Sequence, residues 1–190
     1  MSRTADRKHP QPGKKALPLM LFEHLTQSNN LDDLRSELED LEIKNKLTDA
    51  EGLAVRACIE IADRHLDDAE ALLEGAGTCA RKAREKSLVL HVRALLAMQR
   101  GSKKRALRLV LQSVWLCSDP RMWVLFLIVA DRTRRADIVE ATLRALVEAE
   151  FFEDEELRRT LSSDPRLQNI RSCELYQSIL APRLARGASN

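Results

Sequence analysis

A chain of 190 residues, 44% hydrophobic and 32% charged, is long enough to bury a core, as one domain or a short repeat array. Its aromatic share of 4%, with Ala, Leu and Arg recurring throughout, argues against a strand-rich fold and for an all-α one. A formal net charge of +2 is too small to point to nucleic acid by itself.

The first sixteen residues hold Arg3, Arg7, Lys8, Lys14 and Lys15 against Asp6 alone, a net of +4, so the rest is slightly acidic. With Pro10, Pro12 and Gly13 among those charges, residues 1–16 are expected to form a basic disordered tail. Lys14-Lys15 before ALPLMLF has the look of a signal peptide, but Pro18 breaks the apolar run, Glu23 stops it, and no small-residue cleavage site follows. The most apolar stretch, Met122–Ala130, is too short to span a bilayer, so a soluble cytoplasmic protein is expected.

A first helix is expected from Pro18 through Leu19, Leu21, Phe22 and Leu25, ending at Ser28-Asn29-Asn30. Leu31, Leu34, Leu38 and Leu41 mark the next by their three- and four-residue spacing. Thr48-Asp49-Ala50-Glu51 matches a capping box, opening a helix that runs to about Arg64 and turns at His65 and Leu66. Its partner carries Leu72 and Leu73, with a flexible end expected at Gly75-Ala76-Gly77. From near Glu85 to Pro120 the pattern predicts two antiparallel helices joined at Gly101, and Pro120 starts a further pair. Trp123, Phe126 and Leu127 fall on its first helix and Ile138, Leu143 and Leu146 on its second. Beyond Phe151 the pattern changes: Glu153-Asp154-Glu155-Glu156 opens a short helix, Ser163-Asp164-Pro165 turns it, and Cys173–Leu180 is a last apolar segment.

Superposing the turns reveals a repeat. Leu34, Ala69, Ala106 and Ala141 stand 35, 37 and 35 residues apart, with Phe22, Ala57, Ala94 and Val129 twelve positions before them. Two helices per 20–50 residues is the signature of an α-solenoid. With small residues at Ala94 and Ala106 and Gly101 between them, the chain resembles the tetratricopeptide repeat family. Its aromatic and Leu-Gly positions are mostly missing here. The resemblance implies a right-handed α-solenoid of about four stacked hairpins over 17–150, a helical cap over 151–181 and a loose end over 182–190.

In such stacks the first helix of each pair lines a concave face. That implies a partner-binding groove of Ala54, Cys58 and Ile61, then Leu88, His91, Leu95 and Met98, then Trp123, Phe126 and Ala130. An apolar groove suits an amphipathic or apolar segment of another protein, as an adaptor or chaperone would hold, and small secretion chaperones share the architecture. The family's carboxylate clamp of Lys, Asn and Arg is absent. The same residues could instead be ordinary core, covered by Cys173–Leu180 folding back.

A second surface is basic: Arg100, Lys103, Lys104 and Arg105 at one turn and Arg132, Arg134 and Arg135 at another, with Arg64 in the preceding one. It could meet acidic protein, anionic lipid or RNA phosphates, or be a solvated edge; the turns hold no aromatics for base stacking. No catalytic residue, metal ligand or cofactor is expected. His9, His24, His65 and His91 fall in different units, and there is no H-E-x-x-H, serine elbow or phosphate-cradling glycine loop. Cys58, Cys79, Cys117 and Cys173 form no C-x-x-C pair and are expected to be reduced and mostly buried.

Overall fold

Thr48 opens the first well-marked helix as its sequence requires. Its backbone N–H donates to Glu51 Oε2 at 3.1 Å, and the Glu51 N–H donates back to Thr48 Oγ1 at 3.3 Å. A computed structural model describes residues 31–44, 46–117, 120–148, 161–162, 165–174 and 176–180 of the chain. The helices expected from Pro18 and from Glu153 lie outside these residues.

Among the described residues there are helices and no strands. They are α1 (Leu31–Ile43), α2 (Asp49–Ala62), α3 (Leu66–Cys79), α4 (Ala83–Gln99), α5 (Lys103–Leu116), α6 (Pro120–Arg132) and α7 (Ala136–Glu148). A 3₁₀ turn at Pro165–Leu167, a short α8 (Gln168–Arg171) and a π-helical turn at Tyr176–Leu180 follow.

The apolar periodicity of α2 divides it between two cores. Val55 and Ile59 pack with Leu38 and Leu41 of α1 in a small satellite cluster. Ala50, Ala54, Ala57, Cys58 and Ile61 face the main core, which continues through α3 to α7 and takes in Leu161, Leu167, Ile170 and Tyr176. The C-terminal turns are thus sewn to the same core as α6, and the Tyr176 hydroxyl donates to the Leu161 carbonyl at 2.9 Å.

Three helix pairs turn in the same way. Arg64, Gly101 and Arg134 have φ of 66°, 73° and 57°, the left-handed region. The following N–H in each case reaches back five residues: His65 to the Glu60 carbonyl at 2.9 Å, Ser102 to Ala97 at 2.8 Å and Arg135 to Ala130 at 3.1 Å. The His65, Ser102 and Arg135 carbonyls then accept the first bond of the next helix, from Ala69, Ala106 and Val139. This pattern satisfies carbonyls that a helix end otherwise leaves open. Glycine is expected at such a position; at two of the three turns arginine occupies it.

That geometry corrects the repeat register in the third pair. Counting from the left-handed residue, Ala57, Ala94 and Leu127 are equivalent, as are Ala69, Ala106 and Val139, and all six are buried. Val129 and Ala141 lie two positions too late, and Ala141 is exposed. Where α2–α3 and α4–α5 hold alanine at both of these buried positions, α6–α7 holds Leu127 and Val139, and its two helices run close over a shorter stretch.

Helix α3 also corrects the expected flexible end, because it continues through Gly75 and Gly77 to Cys79. The Arg93 guanidinium lies over Gly77, where a Cβ would come within 2.9 Å of Nη2, and donates to the Leu73 carbonyl at 3.1 Å. Gly77 is room for an arginine rather than a break.

Candidate functional site

Of the residues predicted to line a groove, six sit in the core: Ala54, Cys58, Ile61, Leu88, His91 and Phe126. Ala130, the tenth position of that strip, is fully buried too. Leu95, Met98 and Trp123 are half-buried and pack on them. The helical spacing was sufficient to put these side chains on one side of α2, α4 and α6. Which of them stay open to solvent depends on what neighbouring helices cover, and that leaves Leu95 and Met98 of α4 and Trp123 of α6 partly open. Trp123 meets Phe126 edge-on, with ring centroids 5.9 Å apart and an interplanar angle of 85°. Its indole N–H is buried with no acceptor among the described residues.

Burial sets the chemistry of the titratable groups among these residues. The Cys58 thiol is pushed up to about 12 by desolvation, so it stays protonated and unreactive. His91 is pushed down to about 3, first by desolvation and then by the Arg166 charge, so its ring is neutral at physiological pH. The other thiols depart from the expectation of burial: Cys117 and Cys173 are half-buried and Cys79 is exposed.

Two polar features here escaped the sequence reading. Ser87 and Ser113 clasp α4 to α5 reciprocally, each hydroxyl donating to the other's carbonyl, at 2.9 and 2.8 Å, in a fully buried site. Glu85 accepts the N–H groups of Arg81 and Lys82 at 2.7 and 3.0 Å at the start of α4, which holds its carboxyl below the usual range.

The basic edge separates into paired and unpaired cations. Arg100 donates to Glu70 at 2.5 Å, to Asp67 at 2.8 Å and to the Leu66 carbonyl at 3.2 Å, stapling the end of α4 to the start of α3. Arg135 is bound to Asp137, holding that carboxyl down to about 2. Arg105 feels the Glu70 charge. Lys103, Lys104, Arg132 and Arg134 have no ion-pair partner among the described residues and are exposed.

The structure gathers Arg132, Arg134 and Arg135 with Arg144, Asn169 and Cys173 around a cavity of about 940 Å³ beside the α6–α7 turn. Two of its arginines are paired, Arg144 with Glu140 at 2.7 Å and Arg135 with Asp137 at 2.6 Å, while Arg132 and Arg134 have no such partner among the described residues and Asp131 accepts from Asn169 at 3.1 Å. The Arg100–Arg105 group lies at a different turn and does not join it. At the α2–α3 turn, Glu60, His65 and Asp68 bring potential ligand atoms within 4.8 Å of one another, with His65 Nδ1 2.9 Å from Glu60 Oε2. One nitrogen and two oxygens suit a divalent ion such as zinc, but all three side chains are wholly or partly open to water.

The largest exposed apolar feature among the described residues is one the sequence reading passed over. Trp115 of α5 is 82% exposed, flanked by Leu111 at 40% and Leu116 at 43%. The signal was present in the sequence as Lys104, Arg108, Leu111 and Trp115, spaced four, three and four on a helix whose opposite face carries Ala106, Val110, Ser113 and Val114. No described helix is long and apolar enough to cross a membrane. Comparison with protein-family models, curated proteins and solved structures finds no match for this chain.

Proposed function

We propose that the chain is a non-catalytic protein-interaction module: a right-handed stack of tetratricopeptide-like hairpins, acting as an adaptor or cytoplasmic chaperone. The observation that carries this reading is the turn repeated at Arg64, Gly101 and Arg134 with the same backbone bonds, since tandem hairpins present side chains of successive units as one continuous surface. An apolar or amphipathic segment of a partner protein would rest on Leu95, Met98 and Trp123, with the buried residues beneath them as a firm floor.

The test places a photocrosslinking amino acid at Leu95 or Met98 in cells and compares it with Leu95→Glu and Met98→Glu variants. A discrete crosslinked protein, lost in the charged variants while their helical content is unchanged, is the expected result. Retention of that partner by both folded variants would sink the assignment. A second reading, an RNA- or anionic-surface-binding module, draws on the unpaired Lys103, Lys104, Arg132 and Arg134. Phosphate-driven binding would weaken steeply between low and moderate salt, whereas apolar capture would hardly change.

A further inference from the structure

Helix α5 has no acidic residue, and its outward face is divided along its length. Lys104 and Arg108 occupy the N-terminal half of one stripe and Leu111 and Trp115 the C-terminal half, with Leu116 beside them. Neither Lys104 nor Arg108 has an ion-pair partner among the described residues. A tryptophan left 82% exposed beside two half-exposed leucines is apolar area that water solvates poorly, and such patches mark contact sites. The four-three-four spacing of the stripe is the seam along which two helices pack.

We propose that this face of α5 docks an acidic amphipathic helix of another protein. The partner's apolar side chains pack on Leu111, Trp115 and Leu116, and its carboxylates meet Lys104 and Arg108. This surface is separate from Leu95, Met98 and Trp123 and does not depend on them.

Charge and layout select this occupant. A second copy of the chain would bring one α5 against another: parallel pairing stacks cation on cation, and antiparallel pairing sets Lys104 and Arg108 on Leu111 and Trp115. The chain's own residues 1–16 carry a net +4 and would be repelled. Single-stranded RNA asks for aromatics interleaved with cations, whereas Trp115 stands seven residues beyond Arg108, roughly 10 Å along a helix rising 1.5 Å per residue, with aliphatic neighbours.

The full chain would be titrated with a synthetic helix-forming peptide carrying Leu and Phe at one end of its seam and Glu at the other. Its Glu→Lys counterpart, phosphatidylserine-containing vesicles and oligouridylate would be run alongside. Binding is read by peptide anisotropy and by the emission of Trp115, assigned by its loss in Trp115→Phe. The expected result is a blue shift with the acidic peptide and an affinity at least about tenfold weaker in Trp115→Ala and in Arg108→Glu. Arg108→Glu should in turn favour the Lys peptide. All the substituted α5 positions are exposed, so the variants keep the fold, checked by circular dichroism. The proposal is overturned if the acidic peptide fails to bind, if its binding ignores Trp115 and Arg108, or if Trp115 responds to vesicles or oligouridylate in its place.

Discussion

The α4–α5 and α6–α7 hairpins turn through the same backbone geometry yet are held together by different means. In α4–α5 the left-handed residue is Gly101, the buried positions seven before and five after it are Ala94 and Ala106, and a buried Ser87–Ser113 clasp fixes the pair. In α6–α7 an arginine takes the left-handed position, and the same two buried positions hold Leu127 and Val139. A repeated turn therefore requires neither a repeated residue at the turn nor repeated residues at the buried positions. Closing the helix end satisfies the same carbonyls in each case, and the side chains decide only how closely the two helices then approach.

Acid is the largest single stress on the α4–α5 hairpin. His91 titrates near 3 in the folded protein, below the ordinary histidine value of 6.5, so folding requires the neutral ring. The stability it contributes is whole above pH 6.5 and is lost as pH falls through the folded value, with a slope of up to about 1.4 kcal/mol per pH unit. Denaturant unfolding of the wild type between pH 7 and 4 should show this slope, and His91→Gln should flatten it. An equally steep loss in His91→Gln would assign the acid sensitivity elsewhere.

The clasp comes next. Ser87→Ala or Ser113→Ala alone leaves a buried partner short of a hydrogen bond and should cost about 1–3 kcal/mol. The double variant should cost clearly less than the sum of the two, because the hydroxyl–hydroxyl contact at 2.9 Å is lost in either single variant and so is counted twice in that sum. Strict additivity in urea unfolding would mean that the two hydroxyls do not act as a unit.

The turns themselves sharpen the comparison with smaller effects of opposite sign. Gly101→Ala meets no atom within 4 Å, so its cost of about 1 kcal/mol is backbone strain alone. Arg134→Gly and Arg64→Gly relieve the same strain and should stabilise by up to about 1 kcal/mol. Thermal melts of the three variants would check the signs. The smallest effect belongs to Arg100→Ala, whose exposed ion pairs with Asp67 and Glu70 are screened by salt. Its Tm should fall slightly at low ionic strength and match the parent at high salt.

Much of the local structure was written in residue types whose effect is short-range. Thr48 and Glu51 cap a helix because they stand three apart, Gly101 turns because it lacks a Cβ, and Pro120 begins a helix where its missing N–H costs nothing. Apolar spacing put Leu95, Met98, Trp123 and Phe126 on inward-facing sides of their helices. The left-handed arginines were not legible, since arginine carries no preference for that conformation and only the packed helices on either side impose it. The two-residue register shift in α6–α7 was hidden for the same reason, alanine being equally at home at a crossing or, like Ala141, in water.

From its own residue pattern the chain determined that it is helical, where most of its helices begin and turn, and which sides of them are apolar. The tertiary structure decided which apolar side chains remain in contact with water: Phe126 is sealed, Leu95, Met98 and Trp123 are half-buried, and Trp115 stands clear. Periodicity is a property of one helix at a time. Exposure is a property of all the helices that lie against it, and the chain fixes those only by folding.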